Sequence, residues 1–86
     1  MKIMKKITIY STPVCHFCHA AKEFLTAHDI AFHDIDVATD LVARSEMVEM
    51  TGQMGVPVIK IEEEGHDPVV MVGFSEKLVS DALQIA

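Results

Sequence analysis

Two cysteines separated by two residues, Cys15 and Cys18, lie where a run of β-branched residues gives way to a helical pattern, and the 86-residue chain has no others. A bridge between positions so close in sequence closes too short a loop to brace a fold, so a chain of this size has to be held by an apolar core. An apolar fraction of 50% is ample for one such core. Residues 1–86 are therefore expected to form a single domain, and the cysteines are suspects for chemistry rather than architecture.

Ile7, Ile9 and their neighbours form a short strand ending at Tyr10, after which Ser11, Thr12 and Pro13 turn the chain. A helix is expected from about Cys15, because Cys18, Ala21, Leu25 and His28 recur at its period with Phe17 and Phe24 alongside. Phe32 to Val37 alternates apolar and polar residues as a second strand does. Thr39 or Asp40 offers an N-cap, and Gly52 a C-terminal stop, for a helix carrying Ala43, Met47 and Met50 on one side. Val56 to Ile61 and Val69 to Val72 are apolar runs joined by the acidic turn Glu62 to Pro68, which reads as a hairpin. Ser75 caps a last helix with Leu78, Val79, Ala82 and Leu83 facing inward. The order is β-α-β-α-β-β-α. Its β-α-β start implies parallel pairing through a right-handed crossover, and the hairpin adds an antiparallel part, giving an α/β fold with a mixed sheet and helices packed on it.

A formal charge of −6 and the absence of any Lys/Arg run argue against nucleic acid, whose phosphates require clustered cations. Met1 to Lys6 has the basic look of a signal-peptide start, but the apolar run after it breaks at Thr8, Tyr10 and Ser11, and no export signal is read. Nothing approaches the roughly 18 apolar residues that cross a bilayer. The expected setting is reducing cytoplasm, where a C-x-x-C pair serves redox or metal chemistry.

A thiol attacks a disulfide only as its thiolate, so a redox cysteine needs surroundings that stabilise negative charge near neutral pH. The start of a helix supplies them through unpaired N–H groups and the positive end of the dipole, lowering a cysteine pKa from about 8.5 into the range of roughly 3.5 to 7.5. Cys15, exposed at the helix mouth, is then the nucleophile. Cys18, one turn later on the same side and pointing toward the core, is the resolving thiol that attacks the mixed disulfide on Cys15. His16, His19 and Lys22 would add positive charge nearby, although the simpler reading of each is a solvated side chain.

A second element is Gly55-Val56-Pro57-Val58, at the start of the third strand. Proline is disfavoured inside a strand, so it marks a special turn there, of the kind a cis bond makes, with the Val56 backbone turned out to pair with an extended peptide.

Tyr10 to Cys18, Lys22 to Leu25, Thr51 to Pro57 and Val72 to Phe74 resemble, in order and over nearly the whole chain, the redox motif, first helix, cis-proline loop and last loop of the glutaredoxin branch of the thioredoxin superfamily. The likeness is greatest to small stand-alone bacterial members of the YruB type. The resemblance implies a four-stranded mixed sheet flanked by helices, a dithiol mechanism through Cys15 and Cys18, no permanently bound cofactor or metal, and a monomer acting on disulfide-bearing proteins. It also implies a substrate groove built from Thr12, Pro13, Val14, Val56 and cis-Pro57, with Gln53, Gly73, Phe74 and Ser75 as further contacts. Glutathione is the reductant of many members, and Gln53, Val56 and Ser75 would hold part of it. Three departures stand out. His16 and Phe17 replace the common Pro-Tyr between the cysteines, Thr12 stands where glutathione users carry a lysine, and Gly73-Phe74-Ser75 replaces a Gly-Gly-Asp-like cluster. The Gly-Phe pattern is also similar to glutaredoxin-like hydrogen donors of ribonucleotide reductase, which are reduced by thioredoxin reductase.

Cys15 to His19 also matches C-x-x-C-H, the attachment motif of c-type haem, but the strand-helix context and the lack of an export signal oppose it. A structural zinc site lacks a second cysteine pair, with His28, His33 and His66 scattered over different elements. An iron-sulfur cluster shared between two chains usually accompanies a single active-site cysteine, and Cys18 counts against it. A binding domain that merely kept the fold has no need of both cysteines and Pro57.

Overall fold

A computed structural model describes residues 5–84. Its elements are β1 (Lys5–Ser11), α1 (His16–Ala27), β2 (His33–Asp36), α2 (Leu41–Thr51), β3 (Val58–Glu63), β4 (Val69–Val72) and α3 (Glu76–Leu83). The order matches the expected β-α-β-α-β-β-α, and the four strands form one sheet in the order β2-β1-β3-β4. β1 runs parallel to β2 and antiparallel to β3, and β3 pairs antiparallel with β4.

Alternation along the two central strands assigns each helix to a face. Ile7 and Ile9 of β1 and Ile59 and Ile61 of β3 point to one side, where Ala21 and Leu25 of α1 and Val79 and Leu83 of α3 cover them. Tyr10 and Val58 point to the other side and pack with Val37 and with Ala43 and Met47 of α2. Ile9, Leu25, Met47, Val58, Ile59 and Val79 are fully buried, each stabilising the fold by about 1.5–3 kcal/mol relative to an exposed side chain. Two cores therefore sandwich one sheet.

The helix ends follow the sequence signals. The Asp40 carboxylate accepts the Ala43 N–H at 3.0 Å, and Gly52 ends α2 in the left-handed region at φ 73°. The Ser75 hydroxyl caps α3 by accepting the Leu78 N–H at 3.4 Å.

Three expectations are corrected. β2 is shorter than Phe32 to Val37: it spans His33–Asp36, the four residues that pair with Thr8 to Ser11 before β1 ends. β3 begins at Val58, because Pro57 has no N–H to give a ladder, and Val56 lies in the preceding loop. Leu78 is 57% exposed rather than inward: α3 is short and its buried stripe runs from Val79 to Leu83, leaving Leu78 at the edge.

Candidate active site

The chain leaves β1 at Ser11 and is turned by Pro13 and Val14, and the Cys15 N–H closes the turn on the Thr12 carbonyl at 3.3 Å. This brings Cys15 in as the N-cap of α1, with extended backbone at φ −85° and ψ 114°. A capping side chain normally offers oxygen to the first free N–H groups. Here sulfur takes that place: the Cys18 N–H donates to Cys15 Sγ at 3.1 Å. The two cysteines are joined as a disulfide, with Cα atoms 5.2 Å apart. Cys15 is half-buried at the helix mouth, and Cys18, turned under the helix, is 0% exposed. Val14 stands beside them at 92% exposure, and Phe17 is also exposed.

His19 and Lys22 are each engaged by groups other than the sulfurs. His19 donates from Nε2 to the Pro13 carbonyl at 2.8 Å, bracing the turn in front of Cys15. Lys22 pairs with Asp34 of β2 at 2.9 Å. The Ser11 hydroxyl donates to the same carboxylate at 2.6 Å. Burial by itself would raise the Asp34 pKa, but the bonds from Ser11 and Lys22, with the charges of Lys22 and His19, more than offset it and hold the carboxyl below its ordinary value. His16 sets its ring edge-on to Phe17, with centroids 5.6 Å apart. The Ser11-Asp34-Lys22 group was not visible as a unit in the sequence; the only local hint is a serine directly before the turn.

Register brings the second element to the same end of the sheet. Tyr10 pairs with Val58, so the residues that follow Tyr10 and those that precede Val58 emerge together. The Val56–Pro57 peptide is cis, and Pro57 is fully buried. Its carbonyl accepts the Gly73 N–H at 2.8 Å, joining two loops that lie far apart in sequence. Gly73 sits at φ 85°, which a side chain would oppose. Phe74 packs at a tilt against Phe24 of α1 with centroids 5.8 Å apart, so this loop is also tied to the cysteine-bearing helix. Thr12, Pro13, Val14, Val56, Pro57, Gly73 and Phe74 thus lie in loops at one end of the sheet. Ser75 differs, in that its hydroxyl is engaged in capping α3. Gln53 is engaged too: its side chain bonds both to the N–H and to the C=O of Gly55. A surface hollow of about 480 Å³ beside Lys5, Lys6, Glu62 to Glu64, His66 and Pro68 lies at the opposite end of the sheet.

The family profile described as Glutaredoxin matches residues 7–66, a span that runs from β1 through the cysteines and Pro57 into the β3–β4 turn. The chain belongs to the glutaredoxin family. A glutaredoxin-like 8.6 kDa protein in the rubredoxin operon of Clostridium pasteurianum is 40% identical over 78 residues, covering 91% of this chain and 97% of that protein. Glutaredoxin 3 of Escherichia coli is 30% identical over 61 residues, 71% of this chain and 74% of the relative. Among solved structures, the T8A mutant of the thioredoxin-like protein BC3987 superposes with a TM-score of 0.77 at 30% identity, over 96% of this chain and 100% of that one. The glutaredoxin-like protein NrdH-redoxin of Escherichia coli gives 0.70 at 26% identity, over 88% and 92%. The fold is thioredoxin-like, and with the C-x-x-C pair in its helix-start setting this glutaredoxin is a dithiol thiol-disulfide oxidoreductase, a class that needs no resident cofactor. Among the described residues, no helix is long and apolar enough to cross a membrane, and no group of three or more potential ligands gathers to hold a metal.

Proposed function

We propose that Cys15 is the attacking thiol, that Cys18 resolves, and that the substrates are proteins whose disulfides enter between Val14 and the Val56-Pro57 loop. The observation that supports the division of labour is the asymmetry of the pair. Cys15 is only half-buried and its Sγ accepts a helix N-terminal N–H, whereas Cys18 is wholly buried. The Cys15 thiolate attacks one sulfur of the substrate disulfide, forming a mixed disulfide and releasing the other sulfur as a thiolate, which takes a proton from water. Cys18 then gives up its proton and attacks Cys15 Sγ, releasing the second substrate thiolate and closing the Cys15–Cys18 disulfide. Two electrons pass to the substrate, and an external dithiol or two thiols return them.

The natural reductant is proposed to be glutathione or thioredoxin reductase. Thr12 in place of a cation and the engaged side chains of Gln53 and Ser75 favour the reductase, as does the likeness to NrdH-redoxin, described as having a thioredoxin-like activity profile. We further assign residues 1–86 to one domain, acting as a monomer in reducing cytoplasm.

Changing Cys15 to Ser should abolish disulfide reduction, and changing Cys18 to Ser should leave substrate trapped on Cys15, read by mass spectrometry. Full activity in the Cys15→Ser protein would refute the assignment. Consumption of NADPH with oxidised protein, supplied either with glutathione and glutathione reductase or with thioredoxin reductase, identifies the electron source.

A further inference from the structure

Resting on the reading that the Val56-Pro57 loop receives the substrate of Cys15, we propose that Gln53 is a positioning residue that pre-sets this loop, rather than a contact for glutathione. Its carboxamide is used at both ends on a single neighbour. Gly55 N–H donates to Gln53 Oε1 at 2.7 Å, and Gln53 Nε2 donates to the Gly55 carbonyl at 3.2 Å. The side chain thereby acts as a short strand laid against residue 55, directing the backbone that enters Val56.

Both flanks of the clamp are anchored. On the helix side, the Thr51 hydroxyl lies 2.8 Å from the Met47 carbonyl and 2.9 Å from the Gln53 carbonyl, and accepts the Gln53 N–H at 3.3 Å. On the strand side, the Gly73 N–H holds the Pro57 carbonyl at 2.8 Å. Residues between these anchors carry no helix or strand bonds; Met54 meets Arg44 and Val56 packs on the α2-side core, while the carboxamide bonds the loop backbone itself. Fixing such a segment before the substrate arrives lowers the entropy lost on binding.

Gly55 is the other half of the device. A Cβ there would lie 2.6 Å from Gln53 Oε1, and its next contacts, at 3.5 and 3.8 Å, are atoms of the same carboxamide. Alanine at 55 would therefore push the carboxamide away, its three nearest contacts all being atoms of that group. Gln53 and Gly55 are coupled in a way that a direct ligand contact would not require.

The test uses the full chain, reduced and desalted, in single-turnover oxidation by two peptides. One carries glutathione in mixed disulfide with its cysteine, and the other holds an internal cystine. Gln53→Ala and Gly55→Ala should each raise the half-saturating concentration of both peptides about tenfold, the loss expected for removing one or two hydrogen bonds. The pH midpoint for alkylation of Cys15 should stay where it is in the unsubstituted protein. The double variant should be no worse than Gln53→Ala alone, since the alanine then has no carboxamide to displace. Loss confined to the glutathione-bearing peptide, additive losses in the double variant, or a lower melting temperature with unchanged kinetics would each overturn the proposal. Failure of the unsubstituted protein to react with either peptide would instead overturn the reading of Cys15 beneath it.

Discussion

The backbone N–H of Cys18 donates to Cys15 Sγ at 3.1 Å, so the sulfur of the first cysteine occupies the place where helices usually hold a capping oxygen. A donor already aimed at the sulfur favours its ionised form once the pair is reduced. In the reduced protein, the pH profile of iodoacetamide alkylation at Cys15 should have its midpoint at least about one unit below the free-cysteine value of about 8.5. Because the donor is backbone, Cys18→Ser should retain most of that shift. A midpoint at the free-thiol value in both proteins would remove the N-cap from the explanation.

Asp34 links β2 to α1 and to the end of β1, and its lowered pKa ties stability to pH. A carboxyl whose folded pKa lies below its unfolded value stabilises the fold above the unfolded pKa, near 3.8, and loses that contribution as pH falls through the folded value. The side chain is 41% exposed, so solvent screening limits the gain, and Asp34→Asn should cost about 1 kcal/mol at pH 7. Urea unfolding at pH 7 and again at pH 2.5, about one and a half units under the usual carboxylate range, should show the gap between the two proteins shrinking in acid. An equal gap at both values would mean that the bond contributes through shape alone.

Gly73 combines a left-handed backbone with the bond that holds Pro57. Apart from its chain neighbours, no atom lies within 4 Å of a Cβ built there, so the penalty for alanine is conformational. Gly73→Ala should lose about 1–2 kcal/mol of stability. It should also lower kcat/KM for a protein disulfide, because the strained residue is the one that fixes the Pro57 carbonyl. Equal destabilisation with kcat/KM intact would separate the loop from substrate binding.

Val14 is nearly free of packing but stands next to Cys15. Val14→Ser should leave the unfolding midpoint within about 0.5 kcal/mol of the unsubstituted protein, as exposed substitutions do. Its KM for a protein disulfide should rise several-fold, while the reaction with a small disulfide such as hydroxyethyl disulfide is spared. A uniform loss with both substrates would place its effect on the cysteine rather than on the partner.

The sequence by itself determined those features whose physics spans only a few residues. Alternation along Ile7 to Tyr10, the 3.6-residue spacing of Cys18, Ala21 and Leu25, the caps at Asp40, Gly52 and Ser75, and the cysteine pair at a helix start each depend on neighbours within about one turn. The proposed roles of Cys15 as nucleophile and Cys18 as resolver rest on the same local physics, since an N-cap lies open at the helix mouth and the residue one turn on faces inward. Tertiary structure decided what depends on which strands meet. Only the parallel β1–β2 pairing gathers Ser11 and Lys22 on the Asp34 carboxylate. Only the Tyr10–Val58 register carries Pro57 to the cysteine end, and only the β3–β4 hairpin returns Gly73 to its carbonyl. Gln53 lies between these cases: its contact is two residues away, yet only the folded loop shows both ends of its carboxamide bonded to Gly55.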